Sequence, residues 1–579
     1  MSDNIHQISA FAVYAAKRKS TEQSRDSKNP KIRCLGKDNA ASTQKNLKRI
    51  NGKQALTKQK LKTQPETKIK LRKTASNTNK LQQETVLNNN HNKHKIVELQ
   101  AKKEKNEKND CTDETSGKMV TNDLKVSTKD HIDPVTYSAK VFKWLIYPQK
   151  VNSFISNNWE QTSLHIKRND PSYYSKVMST PLLHQILKNN TVLFHKEIDI
   201  VNYVNGVRED HNPDEGRALP SVVWNYYDSG CSVRMCNPEA YVPQLHKLSA
   251  TLQEVFNCSV RSNWYLTPPN SQGFAPHYDD VEAFILQIEG KKRWKLYKPR
   301  SENEYLPRYS SENFDQSEIG EPILDTIVDA GDLLYLPRGT IHQAMTIDNS
   351  HSLHLTLSVY QKNSYHDFLS KLLPHALERA TEVDISFRKG LPVNYLKYCG
   401  FAHPDSEQKR VFKESIKNLI VQMIDHIDVD RTADLMAKDH IHDFYPPALT
   451  DHEKQCSVVR NGATMKANGI VENITSITLD TKMRLVRYHC ISFVKEDDGS
   501  MRLYYSTENS MKYHEYEQQF FEFDEKFVHP MTQIIKAYPQ FICVSSLTGL
   551  DDDSKIQFVS DLWEKNIIVT DVPLDSVSK

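Results

Sequence analysis

The chain has 579 residues, 38% of them hydrophobic and 26% charged, and its nine cysteines include no Cys-x-x-Cys pair, which speaks against a zinc ribbon and a disulfide framework. No apolar run approaches the roughly 18 residues of a membrane span, and the polar N-terminus lacks signal-peptide character, so a soluble intracellular protein is expected. The formal net charge of +3 conceals two regions of opposite sign.

Residues 1–130 hold 29 Lys and Arg against 14 Asp and Glu, about +15, which leaves about −12 for the remainder. This segment has no Trp and few apolar residues, so it cannot bury enough surface to offset its ordering entropy. Residues 1–135 are therefore expected to form a disordered basic tail. Its clusters Lys17–Lys19, Lys48–Arg49 and Lys68–Lys73 suit nuclear import and loose contact with nucleic-acid phosphates.

The following 450 or so residues are long enough for two or three cores. Residues 136–362 read mostly as strand, with helices leading in near Phe142–Ile146, Val151–Asn158 and Pro181–Leu187. Short runs at Thr191–Phe194, Cys258–Tyr265 and Leu353–Val359, bounded by Pro, Asn and Gly clusters, fit a double-sheet jelly roll with a mouth for ligands. Residues 363–445 change period: Phe368, Leu369, Leu372, Leu373 and Ala376 recur at helical spacing, as do Phe412, Ile416, Leu419, Ile420 and Met423. From residue 446 to 579 a smaller module is expected. There Arg484–Val494 and Met501–Tyr505 flank an Asp498-Gly499 turn, beside helices near Met531–Ala537 and Asp553–Lys565.

The most informative stretch is Phe274-Ala-Pro-His277-Tyr-Asp279, answered by Gly339-Thr-Ile-His342. Residues i and i+2 of an extended segment share a face, so His277 and Asp279 can grip one ion while Tyr278 points away. Gly331–Gly339 reads as turn, buried strand, turn, and delivers His342 at the start of the next strand. Two imidazoles and one carboxylate are the ligand set of a non-haem iron(II) oxygenase.

Downstream, Glu282–Gly290 reads as a strand ending in a glycine turn, with Lys291–Tyr297 as its antiparallel partner. The alternation puts Lys292, Trp294 and Leu296 on one face. A lysine there is costly to bury unless it meets an anion, and in an iron oxygenase that anion is the distal carboxylate of 2-oxoglutarate.

These residues resemble the ribosomal oxygenase branch of the JmjC proteins, bifunctional lysine-specific demethylases and histidyl-hydroxylases of the nucleolus and nucleoplasm. The resemblance begins at Ser229–Pro238, runs through Ser262–Pro268, the lysine strand, the His342 segment and His351–Ser358, and covers about three-quarters of the chain. It implies that His277, Asp279 and His342 are the iron ligands and that Lys292 pairs with the 2-oxoglutarate tail. Asn263 and Ser358 would hydrogen-bond that co-substrate, Tyr265 would face the same cavity, and Arg234 would lie near the substrate entrance. His354 reads as a satisfied core histidine.

The resemblance further implies that the helical region pairs two protomers and that the last module is a winged-helix domain. With 14 basic against 20 acidic residues, that module favours a structural or protein-contacting role over phosphate binding.

The function so implied is an Fe(II)- and 2-oxoglutarate-dependent dioxygenase acting on a ribosomal-protein histidine, on methyl-lysine of histone tails, or on both, with a role in chromatin and transcription regulation. Three protein ligands on one side of an octahedral iron leave three positions open, two for the keto acid and one for O2. No aromatic cage for methylammonium is legible, which ranks hydroxylation first. A non-catalytic cupin-like module that recruits nuclear partners is the alternative, and the intact His277, Asp279, His342 and Lys292 weigh against it. A zinc cupin would leave Lys292 without a carboxylate.

Overall fold

The structure is a computed structural model that describes residues 133–472 and 476–575. The expected disordered tail and its basic clusters lie outside the described residues, apart from the last three positions of that expectation. Helix α1, Pro134–Ile146, starts there: Asp133 caps it by accepting the Thr136 N–H at 3.0 Å, and Pro134 opens the first turn.

Helices α2 (Val151–Asn157) and α3 (Thr180–Asn189) follow, near their expected positions. A ten-stranded antiparallel assembly is built from β1 Leu164–Ile166, which lies between α2 and α3, and from β2 Ile198–Val204, β3 Val207–Asp210, β4 Ser232–Cys236, β5 Val260–Thr267, β6 Glu282–Tyr297, β7 Leu324–Asp329, β8 Leu333–Leu336, β9 Ile341–Met345 and β10 Ser352–Val359. One sheet runs β1-β8-β6-β10-β5-β4-β2-β3, while β7 and β9 pair with the far half of β6.

Three expectations for residues 136–362 need correction. Thr191–Phe194 forms only isolated bridges, with Arg217 and Ile198, and the strand lies further on at β2. Two helices, α4 (Pro220–Asp228) and α5 (Pro243–Phe256), interrupt a region read mostly as strand; each starts on a proline, whose fixed φ suits a first turn. Most consequentially, Glu282–Tyr297 is one strand and not a hairpin. A bulge at Ile288, left unpaired where the β10 register shifts between Leu353 and His354, lets the chain pass from one sheet to the other; Gly290 follows at φ +63°, where a side chain would collide with the His351 carbonyl. The bulge shifts the alternation by one: Ala283 and Ile285 face inward before it, Lys292, Trp294 and Leu296 after it.

Two apolar clusters bracket the main sheet. Its outer face carries Trp264, Leu266, Leu355 and Leu357, which pack under Phe142 and Leu145 of α1 and Leu245 and Leu252 of α5. Each such fully buried side chain contributes roughly 1.5–3 kcal/mol. Between the sheets lies the smaller cluster of Ala283, Ile285, Trp294, Leu296, Val328 and Leu334.

Beyond β10 come α6 (Tyr365–Val383), α7 (Glu407–Met423) and α8 (Val429–Asp443). Their apolar stripes are only half used: Leu372 and Ala376 are buried, Leu369, Leu373 and Leu377 are 42%, 44% and 49% exposed, and α7 buries no residue.

In the C-terminal module the expected strand Arg484–Val494 is two strands, Lys482–Leu485 and Ile491–Lys495, in different sheets. The break lies where Arg487 joins Arg484 on the buried Glu453 carboxylate, at 2.6 and 2.9 Å. The hairpin of Ile491–Lys495 with Met501–Tyr505 forms around Asp498-Gly499, and helices α9 (Glu525–Ala537) and α10 (Asp552–Glu564) stand close to their expected positions. This module grips the end of α5: the buried Glu254 accepts from His489 Nδ1 and from the Tyr538 hydroxyl, both at 2.5 Å.

Candidate metal and co-substrate site

His277, Asp279 and His342 converge. Their nearest ligand atoms all lie within 4.8 Å of one another, with Asp279 Oδ2 at 4.0 Å from His277 Nε2 and 3.8 Å from His342 Nε2. One ion with bonds of about 2.0–2.2 Å can bridge such separations with small shifts. The His277 segment is extended but forms a single bridge, to His342, in place of a strand.

Both imidazoles are oriented alike. His277 Nδ1 lies 2.8 Å from the Ala275 carbonyl and His342 Nδ1 lies 2.9 Å from the Thr340 carbonyl, each two residues back. A carbonyl only accepts, so each Nδ1 carries the proton and each Nε2 lone pair faces the centre. The sequence did not reveal these acceptors. Burial, and then the neighbouring His277, hold the His342 pKa well below the ordinary histidine value, which keeps its ring neutral as a ligand must be.

Lys292 projects from β6 onto the inner face. It is 4% exposed, and its Nζ donates to Thr267 Oγ1 at 3.1 Å. Among the described residues no carboxylate lies within ion-pair distance of it. Burial alone pulls its pKa down to about 7.

The other residues expected around the co-substrate share that face. Asn263, Tyr265 and Thr267 alternate with Trp264 and Leu266 of the outer core, and His354, Thr356 and Ser358 alternate with Leu355 and Leu357. Asn263 stands opposite Thr356 in the β5–β10 register, and Tyr265 opposite His354.

His354 departs from its expectation. It is 2% exposed, its ring stacks on Tyr265 at 4.8 Å and meets Trp294 edge-on at 5.4 Å, and its Nδ1 has no hydrogen-bond partner. A satisfied core histidine would have one. Burial, then the charges of Lys292 and His342, drive its pKa far down.

Arg234 lies on β4 opposite Tyr265. Asp199 holds it: Arg234 Nε donates at 2.9 Å and a second guanidinium nitrogen pairs with the same oxygen. Its guanidinium lies 5.6 Å from the Phe274 ring, and Arg208 lies 5.1 Å from the same ring. Phe274 stood in the quoted motif without a role of its own, and Arg208 escaped the sequence reading because it sits on a short edge strand without a distinctive motif.

Comparison with known proteins gives this arrangement its frame. A sequence model of the JmjC domain matches residues 234–368, and one of the ribosomal oxygenase 1 C-terminal winged-helix domain matches residues 445–574. The chain is 44% identical over 442 residues to the Culex quinquefasciatus bifunctional lysine-specific demethylase and histidyl-hydroxylase NO66, covering 76% of this chain and 67% of that protein. The chain belongs to the JmjC ribosomal oxygenase family.

A second member, Gallus gallus ribosomal oxygenase 1, is 43% identical over 442 residues, 76% of this chain and 73% of its own. Among solved structures, Escherichia coli ribosomal oxygenase YcfD aligns with 73% of this chain and 98% of its own at 13% identity and a TM-score of 0.39. The JmjC match runs from Arg234 to Phe368 and so contains the residues from His277 to His354 described above. The fold is thus a mixed α and β JmjC jelly roll with a C-terminal winged-helix domain.

Proposed function

We propose that this chain is an Fe(II)- and 2-oxoglutarate-dependent protein oxygenase that hydroxylates a histidine of a ribosomal protein, with demethylation of methyl-lysine on histone tails as a second activity; the Culex quinquefasciatus relative is named as a lysine-specific demethylase and histidyl-hydroxylase and the Gallus gallus relative as a ribosomal oxygenase. The observation that carries the reading is the meeting of two inner-face features: the His277–Asp279–His342 cluster and a buried lysine whose only described hydrogen-bond partner is a hydroxyl.

The donor set fits the metal, because two neutral imidazole nitrogens and one carboxylate oxygen leave open positions on iron(II). Lys292 fits the co-substrate: a carboxylate beside it would restore the charge that burial removes. The unpartnered Nδ1 of His354 offers the same ligand a further polar contact. Bound iron(II), with 2-oxoglutarate and O2 as oxidant, supplies the insertion of oxygen into a C–H bond while 2-oxoglutarate leaves as succinate and carbon dioxide.

In this reading His277, Asp279 and His342 hold the metal, Lys292 anchors the distal carboxylate, and Asn263 and Ser358 hydrogen-bond the keto acid. Tyr265 closes the cavity against water by stacking on His354. Arg234, fixed by Asp199, orients substrate near its entrance, and positioning of the attacked carbon does the rest.

Hydroxylation is favoured over demethylation by one observation. Phe274, edge-on to Tyr265 at 5.5 Å, already has the guanidiniums of Arg208 and Arg234 beside its ring, so that ring is occupied and does not offer a face to a methylammonium.

The half-exposed stripe of Leu369, Leu373 and Leu377 supports a homodimer built through residues 363–445. Residues 446–579 act as a structural module, in keeping with their grip on Glu254 and their acidic balance. Nuclear and nucleolar residence, with the basic tail of residues 1–135 contacting nucleic acid, completes the proposal. The test is succinate formation coupled to a 16 Da gain on a histidine of a ribosomal-protein peptide, lost in His277→Ala.

A further inference from the structure

Glu282 opens β6 and is fully buried, an unusual place for a carboxylate. It sits three residues after Asp279, and what it touches lies a short way before His342. The Tyr335 hydroxyl donates to its Oε2, the Arg338 backbone N–H donates to its Oε1 at 3.2 Å, and the Arg338 guanidinium lies 3.7 Å from that Oε1. Next in the chain, the Gly339 N–H donates to the Asp279 carbonyl at 2.9 Å. The Asp279 segment and the turn leading to His342 are therefore joined twice, once by backbone and once through the Glu282 side chain.

A third segment closes the arrangement from outside. Glu160 donates its backbone N–H to the Tyr335 hydroxyl at 3.0 Å and accepts from Arg338 Nη2 at 2.6 Å, and it adopts a left-handed φ of +54° to do both. A non-glycine residue holds that conformation only where its surroundings fix it. The other side of the turn is equally confined, because a side chain at Gly339 would collide with Pro307 and the Glu304 carbonyl.

We propose that Glu282 is a positioning residue for the metal centre, which through Tyr335 and Arg338 sets the separation between Asp279 and His342. This rests on the reading that those two residues and His277 hold iron(II). An apolar side chain would fill the same space without burying two polar oxygens, so the packing alone does not account for a carboxyl group; the donors it gathers from the His342 side do.

Cobalt(II) titration of the full chain, read by the visible ligand-field spectrum, tests this with Glu282→Gln and Tyr335→Phe, alongside thermal melting of each metal-free protein. Gln keeps the shape but has one acceptor oxygen in place of two, so it can accept from Arg338 or from the Tyr335 hydroxyl and not from both. Phe removes one hydroxyl and leaves the ring packed on Phe154 and Phe284, at 4.8 and 5.1 Å. Glu282→Gln is expected to weaken cobalt(II) about tenfold, the low end for residues that support metal ligands from behind, with an altered spectrum; Tyr335→Phe is expected to shift both in the same direction by less.

Cobalt(II) affinity and spectrum unchanged within twofold in Glu282→Gln, whatever its melting temperature, would reduce Glu282 to a fold-stabilising residue and overturn the proposal. Should Glu282→Gln not fold, unchanged binding by Tyr335→Phe would do the same. Failure of the parent chain to bind cobalt(II) would remove the metal reading itself, and this inference with it.

Discussion

His277 and His342 are joined through their backbones in both directions, His342 N–H to the His277 carbonyl at 2.8 Å and His277 N–H to the His342 carbonyl at 3.2 Å, so their rings face one another with centroids 4.5 Å apart. The pair of imidazoles is thus set by main-chain geometry before any ion binds. Replacing either ring leaves that bridge intact. His342→Ala should therefore retain the parent melting profile within a few degrees while turnover falls at least about 100-fold. Melting and succinate release, measured on one preparation, check this.

Lys292→Ala should raise the KM for 2-oxoglutarate by roughly tenfold or more, the size of a lost charge-assisted contact, while metal affinity stays near that of the parent. Equal loss of metal would show that the lysine serves some other part of the site.

The same lysine gives a pH signature. Its pKa falls from 10.5 to about 7 on burial, so between those values the unfolded chain binds more protons and folding releases one. Lys292 should therefore contribute a stability term that grows as pH rises from about 7 toward 10.5, read as the difference in slope between the ligand-free parent and Lys292→Met. Binding of 2-oxoglutarate at pH 8 should take up a proton, measurable by calorimetry in two buffers of different ionisation enthalpy.

The winged-helix module should be thermodynamically coupled to the oxygenase fold through Glu254 and His489. Burial disfavours both charges, yet Cys490 and Glu254 together raise His489 from 6.5 to about 9, and His489 and Tyr538 lower Glu254 from 4.5 to about 2. The stabilisation is complete between about pH 4.5 and 6.5, lost as pH rises through about 9 and lost as it falls through about 2. His489→Leu, which strands a buried carboxylate, should cost about 3–5 kcal/mol in denaturant unfolding and flatten the alkaline limb.

Leu373→Asp should shift the protein toward monomer in sedimentation velocity, because it places a charge in the middle of the half-exposed α6 stripe. An unchanged sedimentation coefficient would place any dimer contact elsewhere.

Much of the site was legible because its signals are local. The His277-x-Asp279 spacing, the buried strand before His342 and the alternation of Lys292, Trp294 and Leu296 depend only on which way successive side chains point. What escaped depends on partners distant in sequence. Gly290-Lys291 reads equally well as a hairpin turn or as a continuing strand, and only the pairing of β6 with β9 and β10, with its bulge at Ile288, decides between them. Arg484–Val494 alternates like one strand, but Glu453 draws Arg484 and Arg487 together and breaks it. The open Nδ1 of His354 could not be read because it follows from stacking on Tyr265, a cross-strand relationship. Helix α5, by contrast, was there to be found: Leu245, Leu248 and Leu252 recur at helical spacing after Pro243.

The most direct test is mass spectrometry of histidine-containing ribosomal-protein peptides and methylated histone-tail peptides, incubated with the full chain, iron(II) and 2-oxoglutarate beside a His277→Ala control. The account predicts one added oxygen on a histidine, matched by succinate and absent from the control. No modification of either peptide class and no succinate would contradict it and leave the jelly roll as a binding module.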